Sequence, residues 1–450
     1  MSLFMLFPLA VTFGGGFFWV YLSAFPLRHP VLCLRCFSSH IRSGGGAFRT
    51  LTLALAGTLG VGNITGVALG IAVGGAGSVF WMLLSCIPAG MLKYCEALAS
   101  SSLAAPSYGM MSLAERVIPR GRIFGGLYSV GCVCLALSMG TSLQSGAFCA
   151  YTSAAFPLSP ALLSVLFAAA VLPAVAFGGE TVRRVTSVAV PAASLVYISL
   201  SLVVIINGAG RIPEVVADIL SSALTPGAAA GGIAGFLTSR AVREGFCGAV
   251  LSNEAGAGTS SLAYTAAPPQ DNPPRRRSDA PSGYLAPAAL HDPVGQGLFG
   301  MFEVVADTGI MCMLTAFSVL LTVPAELRGA DGMALVAAAF SSVFSGAERL
   351  PLSVCIFLFA FATVICWFYY GSRAAEYLAR AIRRPRLSLL YPPLFFLSLT
   401  LGGLLPSPFL VRVSDACLLM LTLITVPLLF ASRKTIKAAT RAAFSRGHRR

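Results

Sequence analysis

Long apolar stretches alternate along the chain with short connections that carry nearly all the charge. Eleven of these stretches suit membrane-spanning helices: roughly 2–24, 51–75, 77–104, 123–155, 159–178, 186–208, 232–266, 298–323, 353–379, 387–405 and 409–431. About 20 apolar residues suffice to cross the hydrocarbon core as a helix. Two of the stretches are interrupted by glycines and polar residues. Gly57-Thr58-Leu59-Gly60-Val61-Gly62-Asn63 lies inside the second, and Ser252-Asn253-Glu254-Ala255-Gly256-Ala257-Gly258-Thr259 inside the seventh. Backbone N–H and C=O groups in lipid must find partners, so helix breaks at mid-depth survive only where they are buried in protein or line a cavity. Paired breaks in corresponding spans are the pattern of a transporter's binding site.

The spacing of the breaks suggests an organisation. With the first helix set aside, each interruption opens a group of five spans, 51–208 and 232–431. An odd number of crossings per group would place the two groups in opposite directions across the membrane, as in inverted repeats. The chain therefore reads as one membrane domain. It comprises an extra helix and cytoplasmic loop (1–50), two five-helix repeats, an external segment between them (209–231), and a basic cytoplasmic tail (432–450). Residues 209–231 and 325–350 contain short amphipathic pieces, Ile212 to Leu220 and Met333 to Phe344, suited to folding over an external vestibule. Residues 267–297, with Pro268-Pro269, Pro273-Pro274 and Arg275–Arg277, read as a disordered cytoplasmic insert in the second repeat.

Composition supports the membrane class: 56% of the 450 residues are hydrophobic, 11% are charged, and mean hydropathy is +0.81. The net charge of +14 is explained by its distribution. With the side after the first span taken as inside, the arginines of 28–49, 116–122, 183–184, 275–277 and 373–386 fall inside. The basic residues of 433–450 join them, whereas outside receives Arg211, Arg240, Arg243, Arg328, Arg349 and Arg412. This asymmetry predicts an outside N-terminus and an inside C-terminus, with no call for nucleic acid as a partner. Most of the twelve cysteines, such as Cys86, Cys132, Cys247, Cys312, Cys355 and Cys366, lie in apolar spans without CxxC spacing and read as small buried hydrophobes. No HExxH or GxSxG motif supports a membrane enzyme, and no catalytic residue is expected.

The breaks carry the chemistry. A half-helix starting near Gly62-Asn63 offers N–H groups and a positive dipole end to a carboxylate, with Gly60 and Ile64 beside them. A half-helix ending near Thr58-Leu59 offers carbonyls to a cation. The second break repeats the design: carbonyls around Ser252, Asn253 and Ala255 suit an ammonium, and Thr259, Ser260 and Ser261 are placed to cap the following half. Together they suit a zwitterion and a hard cation. Glu96, Glu254, Glu303, Asp307 and Asp415 are ionisable groups in or near the apolar spans, where such groups are costly. Lys93 and Glu96, three apart, are expected to pair. Glu254 is expected to brace its break by accepting N–H bonds, and is the leading proton-site candidate if coupling is to protons. Gln144 and Trp367 are candidates for substrate contact, or alternatively for joining helices.

At these residues the chain resembles the bacterial alanine/glycine:cation symporter family. The resemblance is carried by Thr58 to Gly66 (TLGVGNITG), Gly74 to Met82 (GGAGSVFWM), Lys93 to Leu98 (KYCEAL) and Leu251 to Gly256 (LSNEAG). Asp292 to Leu298 (DPVGQGL) with Gly300-Met301-Phe302, and Trp367 to Gly371 (WFYYG), extend it through nearly the whole chain. It implies an all-α, multi-pass protein of the leucine-transporter (LeuT) type, with a core of five plus five inverted helices preceded by one extra helix. It also implies sodium-coupled import of alanine or glycine across a bacterial inner membrane, with no organic cofactor. Thr363 resembles the position that gives a hydroxyl to sodium in this fold class, and carbonyls of Ala56 and Leu59 would complete the ion's oxygens. This chain departs from the family at Val61, usually small and polar, and at Gly295, usually arginine; its Pro/Arg insert at 267–288 is longer. The alternatives are proton-coupled transport of a related small amino acid and a non-transporting membrane sensor. Oligomeric state is left open.

Overall fold

The structure, a computed structural model, describes residues 6–42, 45–103, 108–224, 240–265, 293–328, 332–405 and 407–446. Regular structure among them is entirely helical. Helix α1 is Leu6–Tyr21; a left-handed bend at Ser23-Ala24 and a turn at Phe25–Arg28 lead into α2, Pro30–Arg42. Helices α3 (Gly45–Thr58) and α4 (Gly62–Gly74) are the halves of the first broken stretch, followed by α5 (Gly77–Leu103). Then come α6 (Gly121–Ala155), α7 (Pro160–Ala176), α8 (Gly179–Asn207) and α9 (Arg240–Asn253). The chain continues as α10 (Pro293–Thr322), α11 (Gly332–Phe344), α12 (Arg349–Ala381), α13 (Tyr391–Leu401) and α14 (Ser407–Arg446).

Seven of these segments are long and apolar enough to cross a membrane: α3 with α4, α5, α6, α8, α10, α12 and α14. Helices α1, α7 and α11 are apolar but shorter. Parts of the sequence reading, at 2–5, 225–239 and 266–292, lie outside the described residues.

Helices cross closely where glycine removes a side chain. A Cβ on Gly297 or Gly300 of α10 would stand 2.7 Å from the Tyr94 ring or the Lys93 carbonyl of α5. A Cβ on Gly15 of α1 would collide with the Pro88 backbone of α5, and the Trp19 indole donates to the Ile87 carbonyl at 2.6 Å. Packing at such small-residue contacts holds helices together where lipid offers no hydrophobic drive. Helix α6 lies along α12, with Gly140 against the Trp367 ring. The segment read as folding over a vestibule does form a helix, α11, whose Gly332 abuts the Thr65 carbonyl of α4.

Several boundaries differ from the sequence reading, for identifiable reasons. The expected loop after the first span is largely helical, because Phe37 and His40 of α2 dock on α10. Phe37 meets Phe299 and Phe302 at 5.4 and 4.9 Å between ring centroids. Residues 293–297, read as the end of the insert, belong to α10, which starts at Pro293 and includes Gly295 and Gly297. Helix α8 starts at Gly179, seven residues before the expected span, and its Glu180 pairs with Arg49 at 2.7 Å.

The expected basic tail is the largest revision: through Arg446 it continues α14. Ile436, Thr440 and Phe444 recur every four residues and are buried beneath the charges. Phe444 packs on Phe25 at 4.8 Å, and the Thr440 hydroxyl bonds that of Tyr94 at 2.8 Å. Phe444→Ala is therefore expected to lower the thermal unfolding midpoint in detergent, since truncating a buried phenylalanine costs about 3–5 kcal/mol. A midpoint equal to that of the unmodified chain would restore the reading of 432–450 as a basic tail.

Candidate functional site: two helix breaks joined by one carboxylate

The first break spans three residues. Helix α3 closes at Thr58 and α4 opens at Gly62. A helix C-terminus leaves four carbonyls without intrahelical donors, and here other groups take most of them. The Leu59 N–H bonds the Leu55 carbonyl at 2.6 Å, and the Gly60 N–H bonds that of Thr58 at 2.8 Å. The Trp367 indole donates to the Gly57 carbonyl at 3.2 Å. No donor among the described residues reaches the Ala56 carbonyl. The Thr363 hydroxyl lies 3.4 Å from the Leu59 carbonyl. A Cβ on Gly60 would stand 2.9 Å from both Thr363 Oγ1 and Gln144 Oε1, so α6 and α12 close on this glycine from two sides.

The donor side of the break is partly occupied. Val61 N–H donates to Gln144 Oε1 at 3.0 Å, and the Gln144 amide donates to the Met139 carbonyl at 3.3 Å. Gly62, in contrast, is exposed, and apart from its chain neighbours and its own helix backbone no heavy atom of the described residues lies within 4 Å of where its Cβ would be. Unfilled space therefore adjoins the start of α4. Asn63 and Ile64 are buried, and the Asn63 carbonyl accepts from Thr315 at 2.9 Å.

The second break is more tightly stitched. Glu254 is left-handed (φ 53), as are Gly256 (φ 88) and Gly258 (φ 74). A side chain on Gly256 would meet Val11 at 2.8 Å, so glycine serves both the backbone geometry and the close approach of α1. Asn253 Oδ1 accepts the Ala255 N–H at 3.0 Å, and Glu96 Oε1 accepts that of Gly256 at 2.6 Å. The Ala257 carbonyl accepts from Tyr128 at 2.8 Å and from Thr425 at 3.1 Å. No donor among the described residues reaches the carbonyls of Ser252, Asn253 or Ala255.

Three expectations are revised here. Lys93 does not pair with Glu96: its ammonium lies 2.8 Å from Glu303 and 2.5 Å from the Ser260 hydroxyl, which itself donates to Glu303 at 2.7 Å. Helix α10 simply brings a carboxylate closer than the neighbour one turn away. Glu254 accepts from the Thr259 hydroxyl at 2.5 Å rather than from N–H groups; Glu96 does the bracing. Thr259, Ser260 and Ser261 do not cap the short helix Ser261–Tyr264; Ser261 instead accepts the Met110 N–H at 3.1 Å. Trp367, read as either a substrate contact or a joint between helices, is fully enclosed, and its indole ties α12 to α3.

The two breaks meet at Asp307 on α10. Its Oδ1 accepts from the Asn63 amide at 2.5 Å, and its Oδ2 from Ser252 at 2.8 Å and Thr308 at 2.9 Å. Thr308 in turn accepts from the Asn253 amide at 3.0 Å. Asp307 lies in a π-helical segment, Val305–Cys312, and a second such segment, Ser138–Ser142, precedes Gln144. The wider turn displaces side chains from ordinary α register, a device common at functional sites. Sequence patterning marked Asp307 as a costly buried acid but gave no partner. The π-turns leave no such mark.

Comparison with known proteins follows this geometry. The model of the sodium:alanine symporter family matches residues 3–277 and 279–448. An uncharacterised transporter of Haemophilus influenzae is 29% identical over 89% of this chain and 84% of its own. The sodium/alanine symporter AgcS of Methanococcus maripaludis is 28% identical over 74% of this chain and 70% of its own. The sodium/proton-dependent alanine carrier protein of Bacillus sp. strain PS3 is 26% identical over 76% of this chain and 75% of its own. In fold, the chain is similar to MhsT, a LeuT-fold transporter solved with L-phenylalanine. The TM-score is 0.52 at 14% identity, over 88% of this chain and 97% of that one.

Asp307→Ala would leave the Asn63 amide only the long bonds to the residue-307 carbonyl (3.3 Å) and Cys312 Sγ (3.7 Å), and the Ser252 hydroxyl only Cys312 Sγ (3.5 Å); poorly satisfied buried donors cost about 1–3 kcal/mol. Hydrogen exchange is expected to quicken at both 59–64 and 252–257. Faster exchange confined to 305–312 would show that the carboxylate does not join the breaks.

Proposed function

This chain belongs to the sodium:alanine symporter family, and we propose that it imports a small neutral amino acid, alanine or glycine, together with sodium by alternating access. Members of this family are transporters rather than enzymes. The observation that carries the reading is the juxtaposition at the first break. The acceptor carbonyls of Ala56 and Leu59 with the Thr363 hydroxyl lie at one end, and open space beside the Gly62 amide lies at the other.

In this reading the transported sodium is held by the Ala56 and Leu59 carbonyls and Thr363 Oγ1. The substrate carboxylate docks at the N-terminal end of α4, at Gly62, Asn63 and Ile64, where dipole and amides favour an anion. Its ammonium faces the carbonyls of Ser252, Asn253 and Ala255. Gln144 acts by fixing Val61, the position where the family usually has a small polar residue. Sodium binding at the end of α3 fixes the turn that presents Gly60 and Gly62, so ion and substrate favour the same geometry. Inward movement of one sodium ion yields about 2.3 kcal/mol per 100 mV, and about 1.4 kcal/mol corresponds to tenfold accumulation.

The packing supports the proposed inverted repeat of five plus five spans. Under that scheme α5 and α10 are second members of their groups and lie side by side, as do the third members, α6 and α12. We take the N-terminus as outside and the C-terminus as inside, from the distribution of arginines. The membrane is taken to be the bacterial inner membrane.

Three measurements test the proposal. Proteoliposomes given an inward sodium gradient are expected to concentrate labelled alanine or glycine. Equal uptake with potassium in place of sodium would overturn sodium coupling, and uptake driven by a proton gradient alone would assign the coupling to protons. Thr363→Val is expected to raise the sodium needed for half-maximal uptake about tenfold while leaving alanine affinity at saturating sodium nearly unchanged. Gly62→Leu has unfilled space to enter, so it is expected to insert and fold normally yet abolish uptake. Retained transport by the leucine variant would remove the start of α4 from the substrate site.

A further inference from the structure

The turn Phe25–Arg28 and the final turns of α14 enclose a cavity of about 490 Å³. Its floor is apolar and buried, made by Leu22, Phe25 and Phe444. Its rim is basic: Arg28 enters from the turn, Lys437 and Arg441 from α14. The Lys437 ammonium rests 4.2 Å over the Tyr21 ring, which holds it at the mouth rather than in bulk solvent. Among the described residues, no carboxylate lies within ion-pair distance of Arg28, Lys437 or Arg441. Three cations converging without an anion call for one.

The surface beside the mouth indicates what kind of anion. Leu27 in the turn and Val31 and Leu34 on α2 are 75%, 60% and 66% exposed. Arg28 follows Leu27 in that turn, and the exposed Arg35 follows Leu34 on α2. The remaining face of α2, with Phe37 and His40, is taken up by Phe299. An exposed apolar stripe edged by arginines, on a helix that does not span, fits an element lying in the membrane interface. The stripe begins at Leu27, the residue next to Arg28 at the rim. A soluble phosphate would use only the rim. An amphiphile with an anionic head uses both.

We propose that this cavity is a binding site for an anionic glycerophospholipid, with its phosphate between Arg28, Lys437 and Arg441 and its acyl chains along Leu27, Val31 and Leu34. Basic pockets of this kind between membrane helices suit phospholipid head groups. The bound lipid would join the segment after α1 to the end of α14, which already touch through Phe25 and Phe444. This proposal does not depend on what the protein transports.

The test titrates the full-length protein in neutral detergent with dioleoylphosphatidylglycerol, dioleoylphosphatidylcholine or inorganic phosphate, and follows the thermal unfolding midpoint. A saturable rise is expected with phosphatidylglycerol alone. The double variant Arg28→Gln/Arg441→Gln is expected to weaken that response about 25-fold, at about five-fold per removed charge. Arg384→Gln/Arg386→Gln, which removes two exposed charges elsewhere, is expected to respond like the unmodified chain. The charge-conserving Arg28→Lys/Arg441→Lys is expected to retain most of the response, which separates lost binding from lost folding. An equal response to phosphatidylcholine would overturn the requirement for an anionic head. An equal response to inorganic phosphate would overturn the lipid assignment. Unchanged phosphatidylglycerol binding by the glutamine pair would overturn the site.

Discussion

A carboxylate shared between two broken helices is the interaction on which the centre of this molecule depends. Asp307 accepts from Asn63 beyond the first break and from Ser252 before the second, 2.5 and 2.8 Å away. Backbone groups freed by a break cannot turn to water, so neighbouring helices must supply partners. Gln144 serves Val61, Trp367 serves Gly57, and Glu96 serves Gly256. Each side chain comes from a different helix, so the shape of the breaks and the packing of the bundle are not independent choices. What escapes this stitching is then informative: the Ala56 carbonyl and the space beside Gly62.

The two breaks differ in how fully they are satisfied. The second is closed by left-handed backbone, two carboxylates and several hydroxyls, with the Lys93–Glu303 pair behind it. Removing one partner of such a buried pair strands a charge and typically costs about 3–5 kcal/mol. The pair is therefore better regarded as fixing position than as a net source of stability. Glu96 and Glu254 each keep one buried oxygen without a donor among the described residues. Apart from the shared Asp307 carboxylate, the first break leans on neutral hydrogen bonds. Its geometry is accordingly the easier of the two to alter.

Apolar length and glycine spacing made much of this legible in the chain. The stretches read as spans fall on helices, and both interruptions fall where the helices end, at Thr58 and Asn253. Thr363 and Leu59, proposed together from a family likeness, lie together. Long-range partner choice was less legible. Spacing paired Lys93 with Glu96 because they share a face, while the fold supplied Glu303 from more than 200 positions away. The dense charge after residue 432 hid the four-residue period of Ile436, Thr440 and Phe444, a weaker signal that only a docked neighbour makes decisive. The π-turns around Asp307 and before Gln144 depend on tertiary fit, and no local residue preference announces them.

The bond between Gln144 and Val61 sets an energetic scale for motion. A neutral hydrogen bond contributes about 1 kcal/mol net, which multiplies the equilibrium between latched and unlatched forms only about five-fold. The Gln144 side chain can thus release the Val61 amide by thermal fluctuation alone, and a bound ion or solute needs to supply only a comparable difference in affinity to reverse the balance. The same small number limits how long either form persists. A leucine or valine at position 144 would leave the Val61 amide bare, tilting the population without changing what the space beside Gly62 can hold.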